Sequence, residues 1–118
     1  MTIIIQEQNE MDQNNIRDHA GTSPIFILPM YEKLFAEKNI DASFNYVEID
    51  GGMVVPEQGF SIHDYDELSF VIEGRLAVEI EDEIYNVRTG DYTLIRKGVP
   101  HISKNLEEDK CKIISLLI

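Results

Sequence analysis

From residue 41 onward, hydrophobic and polar positions alternate in short segments separated by turn residues. In segment 75–81, Leu76, Val78 and Ile80 alternate with charged or small side chains, which is typical of a strand with one buried face. The pattern predicts eight strands, at residues 43–49, 53–55, 67–72, 75–81, 83–87, 92–96, 99–103 and 112–118. Glycine-containing turns lie between many of them. Many short strands with such turns favour an all-β sandwich or barrel.

The first 40 residues have a different pattern. A short apolar strand candidate at 2–6 and a polar stretch precede a second apolar run at 24–28. Residues 30–38 then contain good helix formers, with apolar side chains at the spacing of one helical face, and Asn39 is a plausible end. The length of 118 residues is that of a single domain. We therefore expect an N-terminal arm over 1–40, with a strand, a loop and a short helix, followed by a barrel over 41–118.

Composition narrows the functional classes. The chain has 22 acidic and 10 basic residues and a net charge of −12, which argues against binding to nucleic acid or anionic membranes. One cysteine, Cys111, excludes an internal disulfide, and its apolar surroundings predict a buried packing residue. No apolar stretch approaches the roughly 18 residues of a membrane span, and the N-terminus lacks the basic residues of a signal peptide. We expect a cytoplasmic protein.

The predicted strand 67–72 is apolar on both faces, because Leu68, Phe70, Val71 and Ile72 leave neither side clearly polar. A barrel strand that is apolar on its outside needs a cover, either from the N-terminal segment or from a second subunit. We predict a homodimer, with strand addition by residues 2–6 as one device.

Two of the three histidines lie where they could meet an acid. His63 ends one extended segment and Glu67 begins the next strand, so alternation keeps both side chains on one face. His101 follows the turn Gly98-Val99-Pro100 at the start of a strand, and we expect its side chain to point into the barrel mouth. His19 lies in a polar segment and is expected to be an ordinary surface histidine.

The segment around His101 resembles the second cupin motif. In words, that motif is Gly, five residues, Pro, one residue, Gly, two residues, His, three residues, Asn. Gly90, Gly98, His101 and Asn105 occupy the defined positions, and Arg96 stands where the motif has Pro.

The segment around His63 resembles the first cupin motif, His-x-His, three or four residues, Glu, six residues, Gly. His63, Glu67 and Gly74 have the expected spacing, whereas Ser61 replaces the first histidine. A joint match of both motifs is much more specific than either motif alone.

The resemblance is to small single-domain cupins of the RmlC-like superfamily. It implies an all-β, double-stranded β-helix or jelly-roll barrel, here with an N-terminal arm containing a short helix. It also implies a divalent transition metal, Fe, Mn, Ni or Zn, with His63, Glu67 and His101 as its ligands. The run 65–76 is similar to the ethanolamine-utilisation protein EutQ and its relatives. Those proteins lack the usual histidine ligands, so this similarity transfers the fold better than the function.

The residues themselves support two interpretations of the site. Two imidazoles and one carboxylate suit Fe(II), Mn(II), Ni(II) or Zn(II) and leave coordination positions open for water or substrate. Alternatively, the two histidines are polar side chains of a metal-free pocket, an interpretation that Ser61 strengthens. Both interpretations stay open at this point.

Further side chains are candidates for lining the pocket, namely Ser61, Tyr65, Ser69, Tyr92 and Arg96. Tyr65 or Tyr92 would orient a substrate or relay a proton, while Arg96 is either an anion-binding group at the rim or a solvated residue at a strand end.

The sequence thus predicts a small cupin barrel with a divalent-metal site in its interior that acts on or binds a small molecule. A metal-dependent oxygenase, isomerase, cyclase or lyase fits this description. A metal-free small-molecule-binding cupin, or an accessory protein of a metabolic operon, fits as well, and the sequence does not choose between enzyme and binding protein.

Overall fold

The computed structural model describes residues 25–118. Within that range the chain forms one helix, α1 (Glu32–Glu37), and nine strands. The strands are β1 (Ile25–Met30), β2 (Ser43–Ile49), β3 (Val54–Val55), β4 (Glu67–Glu73), β5 (Arg75–Ile80), β6 (Glu83–Arg88), β7 (Tyr92–Ile95), β8 (His101–Lys104) and β9 (Cys111–Leu117). The predicted all-β fold is confirmed.

Two antiparallel sheets face each other. One has the strand order β1-β2-β9-β4-β7 and the other has the order β3-β8-β5-β6. Most consecutive strands lie in different sheets, so the chain crosses between the layers repeatedly, as in a jelly roll. Strands that are distant in the sequence therefore meet side by side, and this brings β4 and β8 to the same interior.

The N-terminal part of the described chain differs in detail from the expectation. The apolar run at 24–28 lies in strand β1, which extends to Met30. This strand pairs with β2 along its whole length, and its last residue, Met30, lies opposite Phe44. Helix α1 begins only at Glu32, because Met30 remains in the strand and Tyr31 adopts a left-handed conformation with a φ of 59°. The strand candidate at 2–6 and His19 lie outside the described residues.

The apolar core fills one end of the space between the sheets. It consists of Ile49, Val71, Leu76, Val78, Val87, Ile95, Cys111 and Ile113, each at most 6% exposed. Asn105, a residue of the second motif, closes this end because its Nδ2 donates hydrogen bonds to the carbonyl oxygens of Ile49 (3.0 Å) and Asp109 (2.8 Å). The opposite end of the barrel is left for polar side chains.

Gly74, the last residue of the first motif, is required by close packing. Its φ is 102°, a conformation that side chains rarely adopt, and a Cβ there would lie 3.0 Å from the Cα of Cys111. Cys111 is completely buried, as predicted, and this burial raises the pKa of its thiol to about 11. Within residues 25–118, no helix has the length and apolar character that crossing a membrane requires.

Candidate metal site

Three side chains predicted as ligands meet at the polar end of the barrel. Nε2 of His63 lies 3.6 Å from Oε1 of Glu67, and Nε2 of His101 lies 3.6 Å from Oε2 of the same carboxylate. The rings of the two histidines are 5.2 Å apart, and one ligand atom from each residue lies within 4.8 Å of the others. Ligands about 2.1 Å from an ion stand about 3.0 to 3.4 Å from one another, so small side-chain movements suffice to close the group on a metal.

Backbone hydrogen bonds hold the two histidine segments together. Ser61 and His101 form an antiparallel bridge. The amide nitrogen of Ser61 lies 2.9 Å from the carbonyl oxygen of His101, and the amide nitrogen of His101 lies 3.0 Å from the carbonyl oxygen of Ser61. The amide of Gly98, whose φ is 79°, donates to the carbonyl oxygen of His63 at 2.9 Å. Ser61 therefore contributes its backbone at the position where the motif has a first histidine.

A second contact determines which nitrogen of His101 faces the acid. Nδ1 of His101 lies 3.0 Å from the carbonyl oxygen of Val99. Because a carbonyl only accepts, this hydrogen bond is donated by Nδ1–H of His101, and it turns Nε2 towards Glu67. A backbone carbonyl commonly orients metal-binding histidines in this way.

Burial differs among the three side chains. His101 is 5% exposed, Glu67 is 20% exposed and His63 is 34% exposed. The group thus lies at the boundary between the barrel interior and its opening. Two imidazoles and one carboxylate at such a boundary form a donor set that fits a divalent transition metal.

The site borders an interior cavity of about 220 Å³. Aliphatic side chains from both sheets form most of its wall, and in the described chain no Lys or Arg lines it. Ser61 and Ser69 also line the cavity, as predicted. Glu67 is the only carboxylate in the wall among the described residues.

The other three predicted pocket residues do not line this cavity. Tyr92 is 83% exposed because strand alternation in β7 points Thr93 inward and Tyr92 outward. The hydroxyl of Tyr65 donates to Oδ1 of Asp41 on the surface, at 2.9 Å.

Arg96 also lies outside the cavity wall, as the second of its two interpretations predicts. Its side chain is 71% exposed and pairs with Asp66, with 3.2 Å between Nη1 and Oδ2. Oδ1 of Asp66 also accepts the backbone N–H of Lys97 at 2.8 Å, and mainly this hydrogen bond lowers the pKa of the Asp66 carboxyl. Arg96 is thus a solvated residue at a strand end.

Sequence reasoning missed four polar residues of the wall, namely Asn45, Thr93, Ser103 and Ser115. A signal was present, because each of the four stands in a segment that was predicted to be a strand. Finding that they share one cavity required the pairing of the strands.

Comparison with known proteins identifies the family of this chain. Residues 45–117 match the cupin domain family Cupin_2. The chain belongs to the cupin family. No curated protein sequence matches it.

Solved structures share the fold at low sequence identity. The Cupin_2 domain of an XRE family transcriptional regulator from Enterobacter cloacae has a TM-score of 0.68 and 15% identity, over 80% of this chain and 96% of that one. A predicted oxalate decarboxylase from Thermotoga maritima has a TM-score of 0.67 and 18% identity, over 80% and 79% of the two chains. The EutQ protein of Clostridium difficile has a TM-score of 0.64 and 17% identity, over 79% and 66%. The expected likeness to EutQ is thus found in its fold.

Proposed function

We propose that this cupin holds a divalent transition metal with His63, Glu67 and His101, and that the metal takes part in binding or converting a small molecule in the adjoining cavity. The observation that carries the proposal is the convergence of three donor groups, because Nε2 of His63 and Nε2 of His101 each lie 3.6 Å from a carboxylate oxygen of Glu67. Fe(II), Mn(II), Ni(II) and Zn(II) all accept this donor set.

A bound metal would polarise a carbonyl group or lower the pKa of a bound water. The protein's own contribution is to orient His101 through the carbonyl oxygen of Val99 and to hold both Nε2 atoms beside the carboxylate of Glu67. The aliphatic wall excludes bulk water from the interior side of the site, which strengthens electrostatic interactions there. Coordination positions not taken by these three residues stay available to a small molecule.

A metal-free binding cupin is the second candidate. It is favoured by Ser61, which supplies no imidazole at the first motif position, and by the direct contacts that Glu67 makes with both histidines. In that case the two rings and the carboxylate would bind a ligand by hydrogen bonds alone.

Titration with Co²⁺ separates the two candidates. We expect one equivalent to bind and to produce the visible absorption of a coordinated cobalt ion, with strong loss in His63→Ala, His101→Ala and Glu67→Gln. His19→Ala removes the third histidine of the chain and is the matched control, which should bind as the unchanged protein does. If no cobalt binds, or if it binds equally to all four variants, the metal proposal is wrong and the metal-free candidate takes its place.

We also propose that a second copy of this chain covers the outer face of the five-stranded sheet. Two apolar rows cross four paired strands on this face, Phe44-Leu116-Leu68-Leu94 and Tyr46-Ile114-Phe70-Tyr92. Leu68, Phe70 and Leu94 are between 41% and 52% exposed.

Charge and size both favour a second copy. The two rows contain no formal charge on a chain whose net charge is −12, so this is a surface on which two copies meet without facing like charges. Their exposed area is on the order of several hundred Å², approaching the roughly 800 Å² that each partner contributes to a standard interface.

A further inference from the structure

A row of polar side chains crosses the inner face of the five-stranded sheet. Asn45 on β2 pairs with Ser115 on β9, Ser115 pairs with Ser69 on β4, and Ser69 pairs with Thr93 on β7. All four line the cavity. We call Asn45, Ser115, Ser69 and Thr93 the polar row.

The polar row lies next to the candidate metal site. Ser69 stands two residues along β4 from Glu67 on the same face, a separation of about 7 Å. On its other side, the next inward position of β4 is the buried Val71. The polar row therefore lies between the metal site and the aliphatic core.

These groups are not saturated by one another. The hydroxyls of Ser69 and Ser115 lie 3.4 Å apart, which accounts for one donor and one acceptor of the pair. A hydroxyl offers one donor and two acceptor positions, so this hydrogen bond leaves capacity on both residues. Asn45 donates from Nδ2 to Ser43 at 2.9 Å and keeps its second N–H and its Oδ1 for other partners.

The opposite wall has a different character. Leu76, Val78 and Val87 from β5 and β6 face the polar row with aliphatic surface. Ser103 of β8, which pairs with Val78, places one hydroxyl beside them. With no Lys or Arg in the described wall, a divalent ion beside Glu67 would leave one positive charge to be matched by a ligand. A second anionic group deeper in the cavity would have no partner.

We propose that the ligand of this cavity is a small molecule with one metal-binding head, an uncharged hydroxyl, carbonyl or amide group about 7 Å from that head, and an apolar opposite side. The head would bind at the metal and the uncharged group would bond with the polar row. The cavity of about 220 Å³ has room for about seven water-sized groups, which limits the ligand to a small metabolite. The proposal rests on the metal site proposed above.

Three hydroxamates that share one metal-binding head test the proposal with the Co²⁺-loaded protein. They are pentanohydroxamate, its 5-hydroxy derivative and glutaric monohydroxamate, which differ only in an apolar, a hydroxyl or a carboxylate end. We expect the 5-hydroxy compound to bind about five- to tenfold more tightly than the alkyl compound, the effect of one good hydrogen bond. The carboxylate compound should bind most weakly.

Variants of the polar row show where the preference arises. Ser69→Ala and Thr93→Val should abolish the advantage of the hydroxyl compound and leave the affinity for pentanohydroxamate unchanged, while Thr93→Ser should retain the advantage. Unaltered cobalt binding by each variant shows that the barrel is intact. Equal affinities for the three compounds, tightest binding of the carboxylate, or a preference that survives in the variants would overturn this proposal alone. Absence of cobalt binding would overturn the metal site and, with it, this proposal.

Discussion

Glu67 and His101 lie on different sheets, yet Oε2 of Glu67 is 3.6 Å from Nε2 of His101. The first residue of β4 and the first residue of β8 are brought together only when the two sheets close on each other. Any ligand that binds both residues therefore stabilises the closed barrel, and the site is coupled to folding.

The first prediction concerns this coupling. Zn²⁺ or Ni²⁺ at about 100 times its dissociation constant should stabilise the fold by about 2.7 kcal/mol, measured as a higher melting temperature. In His101→Ala the increase should vanish, because only two of the three ligands remain and the buried one is lost. An increase of the same size in His101→Ala would contradict the prediction.

The second prediction concerns the outer face. Replacing Leu68 with Lys places a charge in the middle of the two apolar rows and should convert a dimer into a monomer, as measured by light scattering at micromolar concentration. Ile84, which is 63% exposed on the other sheet, provides a matched control, and Ile84→Lys should remain dimeric. If the unchanged protein is a monomer, a second copy does not cover this apolar face. The N-terminal segment, residues 1–24, would then be the other candidate for covering it.

The third prediction concerns Gly74. Gly74→Ala should destabilise the protein by about 1–3 kcal/mol in denaturant unfolding, because the added Cβ would meet the backbone of Cys111 at 3.0 Å. Gly90 has a similar φ of 90° but nothing within 4 Å of the added carbon. Gly90→Ala should therefore lower the free energy of unfolding by less than Gly74→Ala does. Equal losses would mean that the backbone conformation alone accounts for both effects.

The fourth prediction concerns Cys111. Because burial raises the pKa of its thiol from 9.0 to about 11, the folded protein should resist alkylation by iodoacetamide at pH 8 and react fully in guanidinium chloride. The buried neutral thiol contributes stability that is fully present below pH 9 and lost as the pH rises through about 11. Rapid labelling of the native protein at pH 8 would contradict the burial.

The fifth prediction concerns Asp66, whose pKa is lowered chiefly by the hydrogen bond from the Lys97 amide. A lowered folded-state pKa means that this carboxylate stabilises the fold above pH 3.8 and stops doing so as the pH falls through its folded value. Asp66→Ala should lower the melting temperature at pH 7 but not in strong acid. Asp64→Ala removes a neighbouring carboxylate and is the control. Equal effects of the two substitutions at pH 7 would contradict the role of the hydrogen bond.

Much of the fold follows from local patterns. The alternation in 75–81 indicated the strand β5, and the resemblance to the two cupin motifs implied that His63, Glu67 and His101 form a single site. These features were accessible because strand period and motif spacing are properties of neighbouring residues. Tyr65 and Tyr92 were candidates for the pocket but lie outside it, since a strand pattern does not reveal which of its two faces is turned inward. For Arg96, the sequence left a rim residue and a solvated strand-end residue open, and the structure shows the second.

The sequence by itself determined the strands, the family resemblance and the three candidate ligands, because each depends on residue types at short, regular spacings. Only the tertiary structure decided that Asn45, Ser115, Ser69 and Thr93 form one polar row, and that Val99 orients the ring of His101. The physical reason is that cross-strand register and the direction of a hydrogen bond depend on how distant segments pack, and no local pattern encodes that packing.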